Sequence, residues 1–381
     1  MDIGWDFVPA ELEELKNAFE SGGVEECTSM LERKRDEWKY IPLNVAVIGN
    51  SGVGKSSFIN AIRRLTGDDE GAAPVGVKET TVDIKSYSHP LNPLLKFWDL
   101  PGVGTDRFPR ETYLSGINVD RYDFFLLITS DRFTQDDTWL GEELHKRNKK
   151  YFFGRTKMGN DISDNKKAHP KTHNEDTVVR EIRDDIKQHL RANRCPEVPV
   201  FLIDSYKLKK FEFDQLEHRL VSEFPNLKRS ALVLSLKATS IEMIQLKVKE
   251  LRSRASTIAG LSAAVAALPI PGLSTAVDLG IVTGEANFYS KQLGLHESVG
   301  DKELKTIIDD IKSTSLKESS YVEAMRLIPL IGLFLTAPTS YAGTYHVLNK
   351  LLDKLEIAGL KVVTAAAERA AAAAAEDSDD D

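Results

Sequence analysis

The chain has 381 residues, of which 41% are hydrophobic and 28% charged, and its 50 Lys and Arg against 58 Asp and Glu give a formal net charge of −8. At roughly 150 residues per domain this length predicts two or three domains, and the composition excludes a disordered chain, a collagen-like chain and a polytopic membrane protein. The acidic balance argues against a general nucleic-acid-binding protein, so we expect no nucleic-acid partner.

The cysteines and the N-terminus both indicate the cytoplasm. Cys27 and Cys195 are the two cysteines, and they lie too far apart in the sequence to build a disulfide framework or a zinc site. The first residues lack the basic and apolar run of a signal peptide, and the second residue is not glycine. We therefore expect a cytoplasmic chain that is neither secreted nor N-myristoylated.

The chain begins with two stretches of helical spacing, 11–20 and 24–38, which Ser21-Gly22-Gly23 separates. After Pro42, apolar runs of strand length alternate with amphipathic stretches, a pattern typical of an α/β fold with a mostly parallel sheet and helices on both faces. The predicted strands are 43–48, 82–88, 94–99, 123–129, 150–156 and 199–203, and the predicted helices lie near 55–65, 136–149, 174–193 and 211–222.

The pattern changes after about Pro225, beyond which only helices are predicted. One long charged helix is expected over 227–253, another over 302–326, and a last helix begins near Thr344 and enters a run of alanines. No charged residue occurs from Ala255 to Val277. The prolines in that stretch favour a helical hairpin buried in the second domain, with a re-entrant or surface-inserted element as the alternative.

The predicted organisation has four parts. N-terminal helices at 1–40 pack with an all-α domain at 226–365, and the α/β domain occupies 41–225. An alanine-rich helix end and a solvated acidic tail follow at 366–381. The last six residues carry five acidic side chains, so the rest of the chain has a formal net charge of only −3.

A phosphate-binding loop is predicted between the first strand and the helix that follows it. The stretch GNSGVGKS fits the pattern G-x-x-x-x-G-K-S, in which glycines let backbone N–H groups point at phosphate oxygens. Lys55 is predicted to bridge the β- and γ-phosphates, and the Ser56 hydroxyl to ligate Mg²⁺. The predicted nucleotide-binding residues of this loop and helix are Gly49, Asn50, Ser51, Gly52, Val53, Gly54, Lys55, Ser56 and Ser57.

A second phosphate-site element, D-x-x-G, follows about 45 residues later. Asp99, at the end of a predicted strand, is expected to hold Mg²⁺ through water, and the Gly102 N–H to meet the γ-phosphate. Between the two motifs, a hydroxyl from Thr80 or Thr81 can complete the Mg²⁺ shell when the γ-phosphate is present. The alternative is that these are two surface threonines on a strand edge.

The base-reading and hydrolytic elements depart from the usual GTPase pattern. Guanine-specific sites carry [NT]-K-x-D, in which the Lys stem covers the ring and the Asp accepts the guanine N1 and N2 protons. Thr156 and Lys157 fit this pattern, but Gly159 stands at the Asp position, and Asp161 can substitute only if the loop shifts. Val103 stands where many GTPases place the glutamine that orients water. We therefore expect either very slow turnover or catalytic groups from a second copy of the chain.

The chain resembles the immunity-related GTPases, the interferon-inducible p47 GTPases of the dynamin-like group. The matching stretches of the α/β part are GNSGVGKSSFINAIR at 49–63, GAAPVGVKETT at 71–81, FWDLPGVGT at 97–105 and FLIDS at 201–205. Those of the helical part are LPIPGLSTAVDLGIVTGEANFYSKQLGL at 268–295, IPLIGLFLTAPTSY at 328–341 and YHVLNKLLDKL at 345–355. The likeness covers nearly the whole chain apart from the acidic tail.

This resemblance implies a Ras-like P-loop G domain on a helical domain that is built from both ends of the chain. It also implies binding of GDP and GTP, nucleotide-dependent homodimers or oligomers that form through the G domains, and cooperative hydrolysis. Family members act in cell-autonomous innate immunity, many of them at intracellular membranes, and other members are further candidate partners. Some members carry a lipidated N-terminus, which is not expected here because Asp2 follows Met1. Peripheral membrane contact is therefore expected through the helical domain.

The resemblance also assigns roles to single residues. The family's switch glutamate, a catalytic-type residue, matches Glu79, and its switch threonine matches Thr81. Its lysine-bearing phosphate loop matches Lys55, which indicates the GKS subgroup. The family's serine–asparagine element after the last strand falls on Asp204-Ser205, a second departure in the base site. Both departures weaken the expected preference for guanine.

Three functions follow from these patterns. The first is an active GTPase whose hydrolysis requires self-assembly, and it depends on Lys55, Ser56, Asp99, Glu79 and Val103. The second is a nucleotide-binding regulatory or interaction module with little catalysis, which the departures in the base site and the acidic tail favour. The third is a ribosome-associated GTPase, supported by the basic run at 146–157, for which a solvated face beside the nucleotide is the alternative.

Overall fold

The structure is a computed structural model, and it describes residues 14, 17–18, 20–23, 25–26, 29–30, 33, 37–76, 83–105, 107–130, 134–192, 197–266, 284–295 and 331–379. The contacts of the chain divide it into two compact units. The sheet unit comprises Trp38–Leu236, and the helical unit comprises Met1–Glu37 together with Lys237–Asp381.

Six strands form the sheet of the sheet unit, in the order β2-β3-β1-β4-β5-β6. Every neighbouring pair is parallel except β2 and β3, which form an antiparallel pair at one edge. This arrangement is that of a Ras-like P-loop G domain, and it confirms the predicted α/β fold class. The strands are β1 Leu43–Ile48, β2 Lys85–His89, β3 Asn92–Asp99, β4 Phe124–Thr129, β5 Tyr151–Arg155 and β6 Val200–Leu202.

The central strands are buried because helices cover both faces of the sheet. All six residues of β4 and all five of β5 are buried, which explains their continuous apolar sequences. Phe124 and Phe152 meet edge to face across this pair, with ring centroids 4.8 Å apart. The edge strand β2 is mostly exposed and has a polar sequence, KSYSH. The predicted strands therefore correspond to the observed ones, with ends that differ by up to three residues.

Among its described residues, the sheet unit has seven α-helices, which connect the strands or follow the last one. The helix at Gln135–Lys146 begins with a capping box, in which Thr134 and Asp137 each bond the backbone N–H of the other. The helix at Met158–Ala168 lies where the sequence predicts a base-reading loop. The helices are α1 Lys55–Ile62, α2 Tyr113–Gly116, α3 Gln135–Lys146, α4 Met158–Ala168, α5 Glu175–Ala192, α6 Phe213–Glu223 and α7 Asn226–Ser235.

The helical unit contains two long helices that pack antiparallel, α8 Ile241–Ala266 and α9 Ile331–Asp379. Their contact is apolar, with buried residues that recur at helical spacing on α8 (Ile244, Val248, Leu251, Ala255) and on α9 (Leu348, Leu351, Leu352, Leu355). Near one end of the contact, the hydroxyls of Ser262 and Thr344 lie 3.0 Å apart. A second contact shows the direction of packing. Arg252, which precedes Ser262 on α8, bonds Asp353, which follows Thr344 on α9, so the two helices run in opposite directions.

Three predictions about the helices were wrong. The single helix predicted over 227–253 is two helices, because the chain leaves α7 at Leu236 and Ser240 caps α8 by accepting a hydrogen bond from the Met243 N–H. Residues 21–23 are helical, although a break was predicted at Ser21-Gly22-Gly23. The last helix begins at Ile331 rather than near Thr344, and it continues through Asp379 into the segment that was predicted as an acidic tail.

Part of the predicted helical domain lies outside the described residues. This applies to most of the expected hairpin, at 267–283, and to the helix predicted over 302–326. In the described part of the chain, no helix has both the length and the apolar character that a membrane crossing requires.

Candidate nucleotide-binding site

The predicted site residues converge on the edge of the sheet where the parallel strands end. Residues 49–54 follow β1, Asp99 ends β3, Thr156 follows β5 and Asp204 lies just after β6. Ligands of open parallel sheets bind at this edge, because the loops there diverge and leave a crevice. The topology therefore brings together residues that are separated by up to 155 positions in the sequence.

The loop between β1 and α1 has a shape that requires glycine at several positions. Gly52 and Gly54 have φ angles of 79° and 95°, in the left-handed region that other residues avoid. At Gly49, a Cβ atom would lie 2.1 Å from the backbone oxygen of Ile128. The loop thus curls against the end of β4 and leads directly into α1, which is the compact, glycine-dependent shape that a phosphate cradle needs.

Lys55 lies inside this loop. Its side chain is only 5% exposed, and its Nζ donates hydrogen bonds to the backbone oxygens of Gly49 (2.9 Å) and Asn50 (3.1 Å). Both acceptors belong to the predicted phosphate loop, so the ammonium is held against this loop.

Ser56 and Asp99 meet next to the loop. The Ser56 hydroxyl donates to Asp99 Oδ2 over 2.8 Å, and both side chains are buried. A hydroxyl and a carboxylate oxygen are hard donors of the kind that Mg²⁺ prefers. The donor chemistry of this pair therefore fits the predicted metal.

The D-x-x-G segment packs directly on the phosphate loop. A Cβ at Gly102 would lie 3.0 Å from Asn50 Oδ1 and 3.1 Å from Asn50 Cα, so only glycine allows this approach without a shift. The buried Tyr113 hydroxyl donates a hydrogen bond to the Pro101 backbone oxygen over 2.7 Å, and this bond helps to hold the segment in place. Val103 is 8% exposed, so an apolar side chain fills the position of the usual water-orienting residue. Glu79, Thr80 and Thr81 lie outside the described residues.

Thr156, the first residue of the predicted base-reading element, contacts the predicted phosphate loop. Its Oγ1 lies 2.5 Å from the Val53 backbone oxygen and 3.1 Å from that of Thr129. Lys157, the next residue, is exposed and has a φ of 59°, which turns the chain into α4. The Thr-Lys pair thus lies where a base-reading element is expected, beside the loop that cradles the phosphates.

The two carboxylates near the missing Asp position have different surroundings. Asp161, on the first turn of α4, forms an ion pair with Arg155, whose Nη2 lies 2.8 Å from Asp161 Oδ2. Asp204 is 6% exposed; its Oδ2 accepts a hydrogen bond from the Gly159 N–H and its Oδ1 accepts one from the Tyr206 N–H, each over 2.9 Å. The carboxylate next to Gly159 is therefore that of Asp204.

Two features near Asp204 were not predicted from the sequence. Tyr206 is 78% exposed, and its hydroxyl lies 3.1 Å from that of Ser57, which was predicted to bind nucleotide. The Ser205 Oγ is buried and has no hydrogen-bond partner among the described residues. The only sequence signal for Tyr206 is its position directly after the Asp204-Ser205 element, which was itself assigned through a resemblance.

Comparisons with known proteins place this chain among the interferon-inducible GTPases. A model of the interferon-inducible GTPase family matches residues 8–328. T-cell-specific guanine nucleotide triphosphate-binding protein 2 of Mus musculus is 30% identical over 350 residues, which covers 88% of this chain and 84% of that protein. Interferon-inducible GTPase 5 of Rattus norvegicus is 32% identical over 370 residues, with 91% and 80% covered. Interferon-gamma-inducible GTPase 10 of Mus musculus is 37% identical over 222 residues, with 58% and 53% covered.

Proposed function

The chain belongs to the interferon-inducible GTPase family, and from this membership we propose that it binds GTP, hydrolyses it to GDP and is activated when sheet units of two copies associate. The observation that supports nucleotide binding most directly is the buried Lys55, held by the backbone oxygens of Gly49 and Asn50 inside a glycine loop. A buried ammonium at the N-terminus of a helix, inside a loop that glycines allow to curl, favours a phosphate ligand.

Mg²⁺ is the metal that we assign to the site. Ser56 would bind it directly and Asp99 through water, and Thr81 would join them when the γ-phosphate is present. The buried Ser56–Asp99 pair supports this assignment, because both groups offer oxygen donors beside the phosphate loop. When bound, such an ion neutralises charge on the β- and γ-phosphate oxygens.

Self-association is proposed because the site has no water-orienting group in the usual place. Val103 is apolar and buried, so it cannot position a nucleophile. Glu79 is the catalytic group that the family resemblance assigns, and a second copy of the chain supplies the remaining charge stabilisation. Groups supplied in trans raise the turnover of GTPases by about 10³- to 10⁵-fold in known cases.

We expect GTP turnover per molecule to rise with protein concentration. The measurement is release of phosphate from GTP over a hundredfold range of full-length protein, with Lys55→Ala as the baseline and an unrelated protein added to keep the total mass constant. A turnover number that doubles or more as concentration rises supports activation by association. A turnover number that stays constant over the whole range contradicts it.

The second candidate is a nucleotide-binding regulatory module with little catalysis. The buried Val103 and the absence of an acidic side chain at Gly159 favour it. It predicts nucleotide binding with no turnover above that of Lys55→Ala at any concentration. The concentration series therefore separates the two functions.

The cellular role is proposed from the family. The relatives are named for induction by interferon, and we infer a role in cell-autonomous innate immunity, in the cytoplasm and peripherally at intracellular membranes. Membrane contact is assigned to the helical unit, and other members of the family are proposed as additional partners. Co-sedimentation of the full-length protein with anionic vesicles tests the membrane part, since a protein that stays in the supernatant at all nucleotide states would contradict it.

A further inference from the structure

The position that lacks its acidic side chain has a carboxylate beside it. A Cβ atom built on Gly159 would lie 2.5 Å from Asp204 Oδ2. This is close to the distance between the Cβ of an aspartate and its own carboxylate oxygens. An aspartate at position 159 would have its own carboxylate oxygens at about this distance from its Cβ. Asp204 provides an oxygen at this distance, although it is 45 positions from Gly159 in the sequence.

We propose that Asp204 supplies the carboxylate that recognises guanine in place of the acidic residue missing at position 159. This inference rests on the proposed function, since it concerns the base that the same site selects. Two hydrogen bonds from backbone N–H groups hold the Asp204 side chain in place, and each leaves lone pairs on the oxygen that accepts it. A carboxylate fixed in this way can accept the N1 and N2 protons of guanine.

The other acidic candidate at this end of the sheet, Asp161, already forms an ion pair. Asp161 is paired with Arg155, and the Arg155 side chain is only 9% exposed, so breaking the pair would leave a buried guanidinium without its carboxylate. Asp204 needs no such rearrangement. The stem of Lys207 also lies near Gly159, with its Cδ 3.6 Å from the same Cβ position, and it places methylene groups beside the proposed base site.

A purely structural role for Asp204 is the competing explanation. The Gly159 N–H belongs to the first turn of α4, where backbone donors lack partners within the helix, and Asp204 satisfies one of them. A structural cap alone has no effect on which base binds. The experiment must therefore measure base preference and not only affinity.

Xanthine provides that measurement, because it carries an oxygen where guanine carries the N2 amino group. A carboxylate prefers guanine, whereas an amide NH₂ at the same place can donate to the xanthine oxygen. We expect Asp204→Asn to lose GDP affinity by about 10- to 100-fold, the equivalent of a hydrogen bond to a charged group, and to bind XDP at least as tightly as GDP. Competition between the two nucleotides for the full-length protein gives the ratio. Asp164→Asn, which changes an exposed carboxylate of the same helix, is the matched control and should keep the wild-type ratio.

A double variant moves the carboxylate back to the usual position. Gly159→Asp alone places its Cβ against Asp204, so it should weaken GDP binding, whereas Gly159→Asp with Asp204→Ser should again prefer GDP over XDP. This second test also decides the matter if Asp204→Asn does not fold. The inference is overturned if Asp204→Asn keeps the wild-type preference, or if the folded double variant shows none. Wild-type protein that binds no guanine nucleotide would instead overturn the proposed function itself.

Discussion

Glu217 is a buried carboxyl whose protonation is linked to the stability of the sheet unit. It is 1% exposed on α6, and its Oε2 lies 2.8 Å from Nη2 of Arg64, just after α1. Burial raises the pKa of the Glu217 carboxyl from 4.5 to about 7, and the Arg64 guanidinium partly opposes this rise. Its Oε1 is buried and has no hydrogen-bond partner among the described residues.

This raised pKa gives a pH-dependent stability. The folded protein binds the Glu217 proton more tightly than the unfolded chain, so the contribution is full below about pH 4.5 and is lost as pH rises through about 7. The loss amounts to about 3 kcal/mol in the free energy of unfolding. Glu217→Gln cannot ionise, so its stability relative to wild type should increase between about pH 5 and about pH 8.

Urea unfolding at both pH values measures this difference. Glu181→Gln is the control, since Glu181 is an exposed carboxyl on α5. If the stability difference between Glu217→Gln and wild type is the same at both pH values, the linkage assigned to Glu217 is wrong.

At the scale of residues, the sequence predicts the phosphate side of the site better than the base side. The residues Gly49 to Ser56 form a contiguous motif, and local backbone chemistry decides its shape. The contact between Gly159 and Asp204 depends on how two strand ends and a helix pack. Spacing along the chain carries no such information, so Asp161 and Asp204 could not be ranked before the structure.

The helical unit contains an ion pair that its helices enclose. Arg254 of α8 binds Glu285, in the helical residues 284–292, through two hydrogen bonds of 2.8 and 2.9 Å. The two side chains are 11% and 2% exposed, and the Arg254 guanidinium also lies 4.6 Å from the ring centroid of Phe288. Removing one partner would leave the other charge buried.

We expect Glu285→Ala to lower the free energy of unfolding by about 3–5 kcal/mol, because it removes the carboxylate that compensates the mostly buried charge of Arg254. Asp353→Ala is the matched control. Asp353 of α9 pairs with Arg252, which lies on α8 like Arg254, but the Asp353 and Arg252 side chains are 56% and 41% exposed. That change should cost at most about 1 kcal/mol. Equal losses in chemical denaturation of the two variants would show that the Arg254 pair is not the buried support that its geometry indicates.

At the scale of elements, apolar runs identified the central strands, because a parallel sheet covered on both faces needs apolar residues at every position. The break between α7 and α8 was missed because no proline or glycine marks it; the signal is Ser240, whose hydroxyl caps α8. The helix α4 was missed because Gly159 and Asn160 have low helix propensity, and its first turn is supported by the remote carboxylate of Asp204.

At the scale of the whole molecule, the two ends of the chain belong to one unit and the nucleotide site to the other. The helical unit contains Met1–Glu37 and Lys237–Asp381, and every described residue assigned to phosphate or base belongs to Trp38–Leu236. The two units can therefore carry separate tasks: nucleotide chemistry in the sheet unit, and the proposed membrane or partner contact in the helical unit.

The most direct measurement of nucleotide recognition is calorimetric titration of full-length protein with GTP and ATP in the presence of Mg²⁺. We expect GTP to bind at least tenfold more tightly than ATP, because a base site with a fixed carboxylate rejects a ring without the matching donors. Lys55→Ala should abolish binding of both, whereas Lys187→Ala, an exposed lysine of α5, should leave both unchanged. Equal affinity for GTP and ATP, or undiminished GTP binding by Lys55→Ala, would contradict the assignment of this chain as a GTP-binding protein that uses this site.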